Sequence, residues 1–204
     1  LVGNGGSGKT AIINGIADLI ERGEVPQILQ DKEIVMLNIT AMISGTHFRG
    51  MFEERVNGLF NELKNSKNHI LFIDDIQQIL RSGSKEKDTD LSSWIGDILA
   101  NGEVSVIATT TFKDYRNTIE INTSISRKLQ KVVIEPTSIQ ETIEIIEKTK
   151  HYYEDFHNVT YDYDVVKKTV ELSQRYITDR SLPDSAIDVI DLSGAYTCLI
   201  DREP

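Results

Sequence analysis

The tightest constraint on this chain lies at its start, where Gly3-Asn4-Gly5-Gly6-Ser7-Gly8-Lys9-Thr10 fits the spacing G-x-x-x-x-G-K-[ST]. Glycines at these positions let the backbone wrap until several N–H groups point at one anion. An apolar stripe at helical spacing follows over residues 10–22, carried by Ala11, Ile12, Ile16, Ala17 and Ile20, with Gly23 at its stop. The positive end of that helix adds to the field at the loop. The pattern therefore predicts a phosphate cradle. Lys9 would reach the β- and γ-phosphates of a nucleotide, and Thr10 would hold Mg²⁺ through its hydroxyl.

A second motif carries the complementary charge. Ile70-Leu71-Phe72-Ile73-Asp74-Asp75 is a strand-length apolar run ending in two carboxylates. A buried parallel strand delivers its last residues to the C-terminal edge of the sheet, where ligands bind. Asp74 is expected beside the Mg²⁺, directly or through a metal-bound water. Asp75 is expected to orient or deprotonate an attacking water.

Between and after these motifs, strand and helix periods alternate. Residues 33–39, 69–74, 103–109 and 131–134 read as strands, and residues 91–99 and the stripe Phe52, Val56, Leu59, Phe60 and Leu63 as helices. Residues 77–90 read as an exposed polar loop. Beyond Pro136 the β signals vanish. Ser138 and Glu141 form a capping box for a helix to about residue 150, and two more helices follow near 164–176 and 184–200. The expected architecture is α/β with a mostly parallel sheet over residues 1–135, then a small α-helical subdomain over 136–204.

Composition narrows the function classes. Hydrophobic residues at 39% and charged residues at 26% suit a globular chain, and no apolar run approaches the roughly 18–20 residues that span a bilayer. No membrane partner is expected. The net charge of −10 repels phosphate backbones, so no nucleic-acid partner is expected either. The lone Cys198 has no partner for an internal disulfide, which suits a reducing compartment. Leu1-Val2-Gly3 reads as the end of a strand, so a longer protein is expected.

The segments GNGGSGKTAIINGIA, GTHFRGMFEERV, ILFIDD, VSVIATTTFKDYRN, SISRKLQKVVIEPTS and YITDRSLPDSAIDVID, in this order, resemble the first ATPase ring of Clp-type AAA+ unfoldases of the ClpA, ClpB and ClpC group. The resemblance implies a P-loop AAA+ fold and ATP with Mg²⁺ as cofactors. It further implies a cytoplasmic hexamer of identical subunits that threads unfolded protein substrates through a pore, with a Clp-type peptidase as a further partner. Carried over by residue, Gly3 to Thr10 match the phosphate loop and Asp74 the Mg²⁺-associated acid. Thr111 matches a sensor near the γ-phosphate. Arg127 and Lys128 fall on two adjacent arginines that reach a neighbouring subunit's nucleotide. His47, Phe48 and Arg49 match a pore loop whose aromatic grips substrate. Leu182-Pro183-Asp184 matches the turn that covers the nucleotide from the helical side.

Five positions depart from that pattern. Asp75 replaces a glutamate and sets the carboxylate about 1.5 Å back. Lys128 replaces an arginine and loses the planar fork. Asn4-Gly5 stands where the family usually has an acid or polar residue followed by Ser or Pro, Ser185 replaces a lysine, and residues 82–90 bear little likeness to a second pore loop. The expectation is intact nucleotide binding with slowed hydrolysis. The alternative is a module that binds ATP only for assembly or switching.

Overall fold

The computed structural model describes residues 1–38, 41–42, 49–66, 68–82, 95–99, 102 and 104–200. Parallel strands cannot be joined by tight hairpins, and the chain supplies helical crossovers. Helix α1 (Lys9–Glu21) precedes strand β1 (Glu33–Met36). Helix α2 (Arg49–Asn65) leads to β2 (His69–Ile73), and α3 (Gln77–Ser82) follows it on the way to β3 (Ser105–Ala108). The three strands form one parallel sheet in the order β1-β2-β3. The central β2 is apolar without alternation because both its faces are covered. Leu71 and Ile73 are fully buried and pack with Val56 and Leu63 of α2, Ile79 of α3, and Ile95 and Ile98 of the helical residues 95–99.

Register matters more than length here. Ile73 lies opposite Ala108, so the residues that follow each strand, Asp74 and Thr109, emerge side by side. Val2, just ahead of the glycine loop, makes isolated parallel bridges to Thr110 and Val133. The strand expected at 131–134 is therefore reduced to a single bridge, because the chain turns into the loop straight after Val2. The other strands are shorter than their apolar patterns suggest.

Residues 77–82 are not an irregular loop but the helix α3. Ile76 and Ile79, both fully buried, supply helical spacing that the surrounding polar residues obscure. The remainder of that expected loop, 83–90, lies outside the described residues.

The chain divides into two compact units, Leu1–Val2 with Thr10–Val133, and Gly3–Lys9 with the helices from Ile134 onward. The helical unit contains α4 (Ile139–His157), α5 (Tyr163–Tyr176) and α6 (Asp184–Ile200). Its core is Ile143, Ile146, Val166, Val170, Ala186 and Ile190. Ser138 opens α4 with a reciprocal cap: its N–H donates to Glu141 (2.8 Å), and Glu141 N–H donates back to its hydroxyl. The Ser138 backbone N–H, aided by the hydroxyl, holds the Glu141 carboxyl below its ordinary value. Helix α4 runs a full two turns past the expected residue 150, since no breaker intervenes until Asn158 adopts left-handed φ 55°. Among the described residues, no helix is long and apolar enough to cross a membrane.

The helical core generates a stability contrast. Ile146→Ala, at a site 1% exposed, should lower unfolding free energy by about 2–5 kcal/mol, whereas Ile28→Ala, at a site 79% exposed, should change it by less than about 0.5 kcal/mol. Urea denaturation followed by circular dichroism measures both, and equal effects would contradict the burial assigned here.

Candidate functional site

The glycine loop is shaped by sterics that only glycine satisfies at two places. Gly6 and Gly8 have φ of +78° and +81°. A Cβ on Gly6 would also stand 2.6 Å from the Cβ of Asp184, and one on Gly3 would stand 2.5 Å from the Ile134 carbonyl. Ser181 N–H donates to the Gly5 carbonyl (3.4 Å), and Ser7 N–H donates to that of Asn4 (3.3 Å). The turn containing Pro183 thus flanks the loop within one compact unit. Lys9, 9% exposed, folds back on this loop and donates from Nζ to the carbonyls of Gly3 (3.1 Å) and Asn4 (2.7 Å). Ser7 Oγ is buried with no hydrogen-bond partner. No carboxylate occupies the first turn of α1, so its positive end is not neutralised from within the helix.

The acidic turn lies in the sheet unit. Thr10 Oγ1 donates to the Asp74 carboxylate, 3.1 Å from Oδ2 and 3.3 Å from Oδ1. The two sequence motifs, far apart in the chain, therefore meet at one hydrogen bond. Thr109 Oγ1 also donates to Asp74 Oδ1 and accepts from Asp75 N–H (2.9 Å). Asp75 takes left-handed φ 52°, a region that aspartate tolerates better than most residues. Its Oδ1 accepts from Gln77 Nε2 (3.0 Å). Gln77 Oε1 and Thr110 Oγ1 are buried without a partner.

Thr10 and Asp74, both in the sheet unit, fit Mg²⁺ carried by a nucleotide. The Thr10 hydroxyl directs its single proton to Asp74, which leaves oxygen lone pairs for a hard cation. Among the described residues, no cluster of three or more His, Cys, Asp or Glu side chains forms a metal cage. Mg²⁺ does not require one, because it keeps several waters and commonly takes one or two protein ligands plus phosphate oxygens. The unpartnered Ser7 Oγ supplies a further polar atom at the loop, and such buried groups call for a ligand or water.

Thr111 caps the short helix Phe112–Asp114: its Oγ1 donates to Asp114 Oδ2 (2.8 Å) and accepts from Asp114 N–H (3.1 Å). Arg127 ends the helix Thr123–Ser126 and is exposed, with no ion pair from its guanidinium to another described residue. Lys128, next to it, is also exposed. Ser185 is buried, and its hydroxyl has no partner. Arg49 is the first residue of α2, while His47 and Phe48 lie outside the described residues. Sequence reasoning missed Thr109 and Gln77. The available signal is the run Thr109-Thr110-Thr111 at a strand end, of which only Thr111 matches the family pattern.

Residues 1–134 match the ATPase family associated with various cellular activities, and residues 138–203 match the AAA lid domain. The chain belongs to this AAA family. It is an AAA+ domain with a parallel three-stranded sheet, joined to a helical lid. It is 42% identical over 203 residues to the ATP-dependent Clp protease ATP-binding subunit ClpE of Bacillus subtilis, covering 100% of this chain and 29% of that protein. It is 44% identical over 196 residues to the chaperone protein ClpB of Clostridium tetani, covering 96% and 23%. An extended-conformation complex of S. cerevisiae Hsp104 with casein matches with a TM-score of 0.88 at 32% identity, covering 99% of this chain and 34% of that one. The chain thus spans less than a third of the curated relatives named here.

The loop geometry of this AAA domain separates two neighbouring glycines. Gly5→Ala meets nothing within 4 Å, whereas Gly6→Ala meets Asp184 at a positive φ. Gly6→Ala should cost about 1–3 kcal/mol of stability, and Gly5→Ala should stay close to wild type. Thermal and urea unfolding of the two variants decide it; equal losses would overturn the loop conformation.

Proposed function

We propose that this chain is the ATP-binding and ATP-hydrolysing module of a Clp-type protein unfoldase, with residues 1–135 as its large subdomain and 136–204 as its lid. The observation that carries the reading is the Thr10–Asp74 hydrogen bond, which joins the phosphate-loop motif to the acidic strand end. On ATP binding, Lys9 exchanges two backbone carbonyls for the β- and γ-phosphates. Thr10 and Asp74 would hold the Mg²⁺, with the Thr10 hydroxyl still donating its hydrogen bond to Asp74. The ion would neutralise phosphate charge there. Asp75 orients the attacking water, and Thr111 stands as the sensor of the γ-phosphate. Arg127 and Lys128, exposed at a helix end, act on the nucleotide of an adjacent subunit in a cytoplasmic hexamer. Substrate contact falls to His47, Phe48 and Arg49. An unfolded polypeptide is the substrate class, supported by the casein in the Hsp104 complex. Coupling to a Clp-type peptidase is supported by the name of the ClpE relative.

Hydrolysis is proposed to be slow. Asp75 falls one methylene short of the glutamate found in the family, and its carboxylate is engaged by Gln77 at 3.0 Å. A misplacement on the order of 1 Å can cost roughly 10²-fold in rate.

Two measurements on the intact protein test these readings. Calorimetry should show Mg-ATP binding by wild type and a loss of at least about 100-fold in affinity for Lys9→Ala, since a charged donor to phosphate disappears from a buried position. Binding undiminished in Lys9→Ala would end the phosphate-loop assignment. Asp75→Glu should raise the steady-state ATPase rate by about tenfold or more. A rate unchanged or lowered by that substitution would contradict the proposed impairment while leaving the ATP site in place.

A further inference from the structure

We propose that Thr109 is the positioning residue of the acidic turn, a single hydroxyl that sets the orientation of both Asp74 and Asp75 for the Mg²⁺-nucleotide. The inference rests on the function proposed above. Thr109 is fully buried at the end of β3. Its backbone clamps the turn from both sides: its N–H donates to the Ile73 carbonyl (3.0 Å), and its carbonyl accepts from Ile76 N–H (3.1 Å). Its side chain lies between the two acids, donating to Asp74 Oδ1 and accepting from Asp75 N–H at 2.9 Å.

Each side-chain bond has a separate consequence. The bond to Oδ1 fixes the rotation of the Asp74 carboxylate, which presents Oδ2 to Thr10 at 3.1 Å. Without it, the Thr10 contacts alone would hold that carboxylate among the described hydrogen bonds. The bond from Asp75 N–H satisfies a donor on a residue with left-handed φ 52°, where the backbone has few conformations to choose from. A threonine hydroxyl can do both at once, because it has one proton and two lone pairs. Alanine or glycine can do neither.

The test separates positioning from folding. Thr109→Val keeps the β-branched shape and both backbone bonds but removes the hydroxyl. Thr109→Ser keeps the hydroxyl. ADP binding by the intact protein is measured by calorimetry across a Mg²⁺ series and again in EDTA. Thr109→Val should raise the Mg²⁺ concentration for half-maximal enhancement of ADP binding by about 5- to 30-fold, as expected for a lost hydrogen bond to a charged group. Binding in EDTA should stay within about twofold of wild type, because Lys9 and the glycine loop are untouched. Thr109→Ser should bring the Mg²⁺ response back to within about twofold. The inference is overturned if Thr109→Val leaves the Mg²⁺ response unchanged, if serine fails as valine does, or if EDTA and Mg²⁺ binding fall together. Wild-type protein that binds no ADP under either condition overturns the proposed function itself. A Mg²⁺-responsive wild type beside an unaffected Thr109→Val overturns only the role given to Thr109.

Discussion

Ile73 of β2 stands opposite Ala108 of β3, and that one pairing fixes where the polar chemistry of the sheet unit sits. Asp74, Asp75 and Thr109 follow directly from it. A slip of one residue would turn every β2 side chain to the opposite face and separate Asp74 from Thr109. The slip is resisted by burial, since Leu71, Ile73, Ile76 and Ile79 are all fully enclosed. Hydrophobic packing well away from the polar atoms therefore sets the hydrogen bonds that link Thr10, Asp74 and Thr109.

The glycine loop solves a different problem. A lysine ammonium at 9% exposure has lost most of its water, and a buried cation needs hydrogen-bond acceptors. The carbonyls of Gly3 and Asn4 are among the acceptors of Lys9. A phosphate would be a stronger acceptor for the same group. The loop is in that sense ready for an anion: positive φ at Gly6 and Gly8 curls the backbone, and the Ser7 hydroxyl is buried without a partner. Ser181 and Asp184 abut the loop, so the segment beginning α6 helps to shape it.

Much of this was readable from residue order. The motif ending in Lys9-Thr10 and the run ending in Asp74-Asp75 are local patterns whose chemistry follows from their own residues. Thr10 and Asp74 are in contact through a hydrogen bond. The capping box at Ser138 and the last helix at Asp184–Ile200 were legible for the same local reason. What escaped depends on partners distant in sequence. Thr109 gains its importance from the strand opposite, and Gln77 from a helix whose polar residues concealed buried Ile76 and Ile79. The true end of α4 was missed because Asn158, unlike a glycine or proline, does not announce a left-handed turn.

Lys9 and the Thr10–Asp74 pair are proposed to act on one Mg²⁺-nucleotide. The most direct measurement is a high-resolution structure of the intact protein with Mg²⁺ and a non-hydrolysable ATP analogue. In that structure Lys9 Nζ should leave the Gly3 and Asn4 carbonyls for the β- and γ-phosphates, while Thr10 keeps donating to Asp74 and turns its oxygen to the metal. A nucleotide bound elsewhere, or Lys9 still resting on those carbonyls beside a bound triphosphate, would contradict it.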